Sequence, residues 1–382
     1  MIKRSISFFK SIQALIGAII GVGIFGIPYA MAQAGFAIGL AHIIILGAVN
    51  LVMVLAYVEL VLYDGGNNRL VGSMKEHLGE HWGFVMATVL FGSIWGAMLA
   101  YMIIGGEFLH VLINPILGGG LTFYQYIFFI ICSFFLLGGL GMVARLELFF
   151  VTALLFLLGL IVIGAAPYAD LSLLTHINLQ HAFLPFGVVL FAFGGLGVVP
   201  EMKAILGRNT ALLRRAAVIG FVVITLVYAV FAGVVVSVTG LKTTPEAILG
   251  LGSVLGQWAI ILGAGIGLIS VATSFLILGV EVMNTTIFDY KRRFLTGWGM
   301  AIAVPFILFF FGARDFIEVI GFTGGVLAAL VGLLLIFSYF RAKKSAHLPK
   351  RTLTIPNWLM YICVLVLTFG MLITIVGIFE AV

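Results

Sequence analysis

Long, uninterrupted apolar runs constrain this chain more than any other feature. Runs such as Ile127–Leu137 and Leu148–Ile163 contain almost no polar side chain. A helix that spans a bilayer needs about 17–25 mostly apolar residues. Eleven segments meet that need, at roughly 9–34, 36–63, 82–111, 122–141, 146–167, 183–205, 213–238, 257–288, 295–312, 316–340 and 356–379. The whole chain is 63% hydrophobic and 9% charged, with a mean hydropathy of +1.27. Soluble domains are about 25% charged, so soluble, disordered, collagen-like and disulfide-stapled classes are excluded. A membrane β-barrel would alternate in segments of about ten residues, whereas these runs are continuous. The expected fold class is an all-α polytopic membrane protein with eleven transmembrane helices.

Charge placement supports that count. With the N-terminus inside, all of the 20 basic residues except Lys242 and Arg314 fall on the inner side. Positive residues favour cytoplasmic loops, and a wrong span count would scramble the sorting. The expected location is the plasma membrane (the inner membrane in a bacterium), with a cytoplasmic N-terminus and the C-terminus outside. The first run follows Lys3, Arg4 and Lys10 but is too long for a signal-peptide core, so it reads as a retained span. The net charge of +6 is thus a topology signal and does not point to nucleic acid. Cys132 and Cys363 sit inside apolar runs and read as buried hydrophobes. Residues 1–382 are expected to form one membrane domain, with connections at 64–81, 168–182 and 239–256. Leu70, Met74 and Leu78 have helical spacing, so Arg69–Gly79 reads as a short surface helix or a solvated loop. Thr244–Leu255 opens with a good helix start and reads as a short outer helix.

Two runs are interrupted in the same way. The first carries Gly17, Gly21, Gly23 and Gly26 ahead of Pro28, and the sixth carries Gly194, Gly195 and Gly197 ahead of Pro200. Proline removes a backbone donor, and glycine lowers the cost of non-helical backbone. Both clusters predict unwound chain in mid-membrane, which is tolerated only where protein buries it or it lines a cavity. Free N–H groups at a half-helix start favour a carboxylate, and free carbonyls at a half-helix end favour an ammonium or Na⁺. An amino acid zwitterion needs both. The breaks lie five spans apart, so the two repeats are inverted, and matched breaks point to a transporter binding site. The bland alternative is two kinked helices that serve packing.

Three stretches carry a family resemblance. Ile20–Ala30, Leu99–Glu107 and Phe191–Met202 resemble the amino acid/polyamine/organocation superfamily, in its amino acid/auxin permease branch, close to the hydroxy- and aromatic-amino-acid permeases. The resemblance covers about residues 10–340. It implies the leucine-transporter fold: a 5+5 inverted repeat (9–167 and 183–340), broken helices 1 and 6, and one extra helix at 356–379. It also implies roles. Gly21, Val22 and Gly23 would offer N–H groups to the substrate carboxylate. Carbonyls of Ile19, Phe191 and Ala192 or close neighbours, with Phe193 and Gly194 beside them, would meet the ammonium. Span 3 around Trp95–Tyr101, with Tyr101 foremost, and span 10 around Phe322–Gly325 would line the side-chain pocket.

The coupling ion has two candidate routes. In sodium-coupled relatives, residues like Ser270, Thr273 and Ser274 bind Na⁺ with carbonyls of the first break. Carried over, the ligands are the carbonyls of Gly17, Ile20 and Ser270 and the hydroxyls of Thr273 and Ser274. The alternative is that these hydroxyls bond back to the preceding helical turn. Some proton-coupled relatives use a span-5 lysine there, and 146–167 has none. Intramembrane carboxylates are functional candidates, so Glu107 and Glu281 are the proton-relay candidates, and Glu59 and Glu201 are read as holding helix ends or gates. No transition-metal spacing, triad or phosphate loop is present, and the Gly-x-Gly at 21–23 follows no strand.

The expected function is secondary active transport of neutral amino acids, aromatic or branched, driven by Na⁺ or H⁺. No enzyme activity and no cofactor beyond the coupling ion are expected. The expected partners are the amino acid and the bilayer, with no obligatory protein. The rival readings are an amino acid exchanger or a non-transporting sensor on the same fold.

Overall fold

Helices form wherever the chain is apolar, because a backbone in lipid must satisfy its own hydrogen bonds. The computed structural model describes residues 2–64, 69–138, 143–207, 209–344 and 353–381. Arg208, Lys350 and Arg351 lie outside these, as do the side chains of Lys3, Arg4 and Arg145. The helices are α1 (Ile2–Ile19), α2 (Gly23–Ala34), α3 (Phe36–Tyr63), α4 (Leu70–Leu78), α5 (Glu80–Leu117), α6 (Leu121–Leu137), α7 (Val143–Ala165), α8 (Leu184–Ala192), α9 (Val199–Leu206), α10 (Thr210–Thr239), α11 (Gly252–Leu255), α12 (Gln257–Asn284), α13 (Phe294–Phe310), α14 (Phe316–Phe322), α15 (Ala329–Lys344) and α16 (Asn357–Ala381).

Among the described residues, seven helical segments are long and apolar enough to cross a membrane, or eight if the bent pair α1–α2 is one span. Three shorter apolar helices fall on the remaining expected spans, around α6, α7 and α13. Large apolar side chains face outward, as with Phe134, Phe311 and Leu365, which are 71%, 82% and 68% exposed. Water would not tolerate such a surface, and lipid covers it. The molecule is a multi-pass membrane protein.

The connections refine the expectations. Residues 70–78 do form a helix, with Leu70, Ser73 and Met74 buried. The Ser73 hydroxyl and the His77 ring both bond Asp64. The expected helix at Thr244–Leu255 is largely absent: only Gly252–Leu255 is α-helical. Ala247 adopts φ +60° and the Thr244 hydroxyl accepts from the Gly250 N–H, so local polar bonds replace helical ones there. Span 10 contains a π-helical stretch, Thr323–Ala328, between α14 and α15.

The end of the bundle where α3 stops is tied together by Glu59, which is buried. Its carboxylate accepts from Arg214 of α10, from the Tyr339 hydroxyl of α15 at 2.6 Å, and from the Thr354 N–H and hydroxyl, each at 2.8 Å. The Ile355 N–H then bonds the Tyr339 hydroxyl at 3.1 Å. Glu59 thus holds helix ends, as its position near the end of the second run suggested.

Candidate substrate-binding site

α1 stops at Ile19 and α2 starts at Gly23, with a bend of 58° between them. The Ile20 N–H still bonds the Ile16 carbonyl at 2.8 Å, and Ile24 and Phe25 donate to Gly21 and Val22 at 3.3 and 3.1 Å. Among the described residues, the N–H groups of Gly21 and Val22 reach no backbone carbonyl, and Gly23 opens α2. They are the orphan donors of a helix start and carry the positive end of its dipole.

α8 ends at Ala192. The Phe193 N–H bonds Val189 at 3.0 Å and the Gly194 N–H bonds Phe191 at 2.9 Å, so the Phe191 carbonyl already has one donor. Regular helix resumes at Val199. Pro200 sits in the first turn of α9, where its missing N–H costs little. The unwinding itself falls on the glycines before it.

The two breaks touch. A Cβ on Gly23 would lie 2.7 Å from Ala192 Cα and 2.9 Å from its Cβ. Gly195 packs as closely on the Ile19 side chain. Gly23 and Ala192 are buried, Gly21 is half-buried and Gly194 is exposed. Phe193 contributes backbone to the break, while its ring lies in the core, 6.0 Å from Phe221 and 5.1 Å from Tyr228.

Tyr228 of α10 is the residue that sequence reading missed. It is fully buried. Its hydroxyl donates toward two carbonyls, Ala192 at 2.7 Å and Ile19 at 3.1 Å. One side chain therefore joins the last turns of both first half-helices. The available signal was weak: Tyr228 is one of two hydroxyls, with Thr225, near the middle of an apolar run.

Span 3 divides its side chains. The Tyr101 hydroxyl lies beside Gly21, 3.8 Å from where a Cβ would stand. Trp95 turns away and donates to the Met300 carbonyl of α13 at 2.9 Å. In span 10, Gly324 packs against the Gly187 carbonyl and the Phe191 backbone, and Thr323 packs on Gly96. Phe322 is 44% exposed and Gly325 faces Thr374 of α16. Thr323 and Gly324 thus face α5 and α8.

On α12, Ser270 and Thr273 are buried and Ser274 is half-buried. The Thr273 hydroxyl donates to the Ser270 carbonyl at 2.9 Å, which is the bond to the preceding turn. Gly17 lies in the last turn of α1 and Ile20 just beyond it. One carboxylate oxygen of Glu107 is buried without a hydrogen-bond partner among the described residues. Glu246 and Asp315 lie within its electrostatic reach. Glu281 is within electrostatic reach of Arg69. Burial pushes the Glu246 carboxyl above the usual carboxylate range, against opposing bonds from its own backbone and Thr244. Among the described residues no group of three His, Cys, Asp or Glu could hold a metal ion.

Two helices broken at matching positions, with the breaks in contact, are the architecture of the leucine-transporter fold. Solved structures share that fold. The crystal structure of MhsT in complex with L-phenylalanine matches with a TM-score of 0.67 at 15% identity, covering 95% of this chain and 97% of that one. The Eremococcus coleocola manganese transporter, bound to an aromatic bis-isothiourea substituted compound, matches with a TM-score of 0.68 at 15% identity, covering 97% and 86%. No curated protein sequence matches the chain. A family model does: residues 4–380 match the transmembrane amino acid transporter protein family, and the chain belongs to it. The sequence-level resemblance and the fold class therefore hold, and the chain is an amino acid transporter.

Proposed function

We propose that this transporter carries neutral amino acids by secondary active transport, coupled to Na⁺ or H⁺, with alternating access around the two breaks. The observation that carries this reading is the meeting of Gly23 and Ala192. It sets the helix start at Gly23, preceded by the orphan N–H groups of Gly21 and Val22, against the end of α8, and the Ile19 and Ala192 carbonyls meet at the Tyr228 hydroxyl. The first set suits a carboxylate and the second an ammonium, and the Tyr101 hydroxyl adds a donor beside Gly21. Neither break carries a charged side chain, which favours a neutral substrate. The phenylalanine held by MhsT supports a bulky one.

For coupling, the Na⁺ candidates remain the carbonyls of Gly17, Ile20 and Ser270 with the hydroxyls of Thr273 and Ser274. The Thr273 hydroxyl would keep its proton on Ser270 or turn it away as its oxygen accepted the ion. Glu107, one carboxylate oxygen of which has no hydrogen-bond partner among the described residues, and Glu281 are the proton candidates. The proposed setting is the plasma membrane with the N-terminus cytoplasmic and the C-terminus outside, and with inverted repeats at 9–167 and 183–340. Uptake of a labelled amino acid panel tests the substrate class. Neutral amino acids should be carried; uptake restricted to lysine, arginine, glutamate or aspartate would overturn it.

A further inference from the structure

Tyr228 marks more than a packing contact. Two carbonyls from two different helix breaks converge on one hydroxyl, at 2.7 and 3.1 Å. That hydroxyl has a single proton, so it serves one carbonyl fully at a time. Each carbonyl keeps a second lone pair, and the tyrosine oxygen keeps its own acceptor capacity. The Tyr101 hydroxyl, which stands beside Gly21, lies within electrostatic reach of Tyr228. The ring of Tyr228 is held independently of its hydroxyl, by the edge-to-face contact with Phe193 at 5.1 Å.

We infer that Tyr228 is a specificity-determining ligand of the substrate amine, the third acceptor beside Ile19 and Ala192. This inference rests on the proposed amino acid site. An α-ammonium has three N–H donors. The Ile19 and Ala192 carbonyls take two, and the Tyr228 oxygen takes the third while its own proton stays on one of the carbonyls. Every donor and acceptor is then satisfied in a site shielded from water. A substrate lacking one N–H leaves the tyrosine oxygen unmatched, and the buried mismatch rejects it. The substrate class is therefore primary α-amino acids, with N-methyl and cyclic imino acids disfavoured.

The test uses the full-length protein and equilibrium binding of L-phenylalanine, L-leucine, their N-methyl derivatives and L-proline. Wild type should bind at least one parent amino acid, and its N-methyl derivative about tenfold or more weakly, the loss expected for one hydrogen bond to a charged group. In Tyr228→Phe the parent should weaken about tenfold while the N-methyl derivative changes little, so the ratio approaches one. Retained binding of the N-methyl derivative reports a folded variant, and a purely structural role would lower both ligands alike. Equal binding of parent and N-methyl derivative by wild type would overturn the inference whatever the variant does. An unchanged ratio in a folded Tyr228→Phe would also overturn it. Absence of binding by any neutral amino acid in wild type would instead defeat the proposed site itself.

Discussion

At Gly23 the molecule has no spare volume. The nearest atom to an added Cβ is backbone, Ala192 Cα at 2.7 Å, and backbone cannot rotate out of the way. Gly23→Val should force the two breaks apart and lower uptake at least tenfold, with substrate binding lost in parallel. Unchanged uptake would show that the N–H groups at 21–23 do not hold the carboxylate. A second residue-scale prediction concerns Glu246. Burial raises its folded-state pKa, so its ionised form is the disfavoured one. Its contribution to stability is full below the unfolded carboxylate range and is lost as pH rises through the raised folded value. The thermal midpoint of Glu246→Gln relative to wild type should therefore improve as pH rises through that window. A constant difference across pH would contradict the assignment.

Between elements, the densest polar network is the one around Glu59. It joins α3, α10, α15 and the segment leading into α16 through one buried carboxylate. Glu59→Ala would leave Arg214, Tyr339 and Thr354 without their common acceptor, and should lower the unfolding midpoint by about 5 °C. Thr354→Val keeps the Glu59–Arg214 pair and should cost less. Equal losses would mean that the segment at 354–355, and not the ion pair, carries the network.

How much of this was legible in the sequence follows from the range of each interaction. The breaks were legible because glycine and proline act on their own backbone, and both fell where the clusters stand. The prolines sit in the second half-helices, at Pro28 within α2 and Pro200 in the first turn of α9, so they mark the restart and the glycines mark the break. Tyr228 was not legible, because its partners are 209 and 36 residues away and no local spacing records them. The π-helical turn at Thr323–Ala328 packs Gly324 against Gly187, a partner 137 residues away that no local spacing records. The expected helix from Thr244 failed because Thr244 spends its hydroxyl on Gly250 and the chain turns through Ala247.

At the scale of the whole molecule, the proposed eleven crossings would place the two ends on opposite faces. Single cysteines introduced at Ile2 and at Ala381, with the buried Cys132 and Cys363 left in place, should react with an impermeant maleimide from opposite sides of sealed vesicles. Labelling of both from one side would remove a span from the count or add one. The central claim, coupled transport of a neutral amino acid through the paired breaks, is tested most directly by uptake into proteoliposomes under an imposed Na⁺ gradient and separately under a pH gradient. A neutral amino acid should accumulate against its own gradient under one of the two. Loss of Na⁺-driven accumulation in Thr273→Ala/Ser274→Ala would assign the ion to α12; pH-driven accumulation would move it to Glu107 and Glu281. Binding of the amino acid with no accumulation under either gradient would contradict the account and make the protein an exchanger or a sensor.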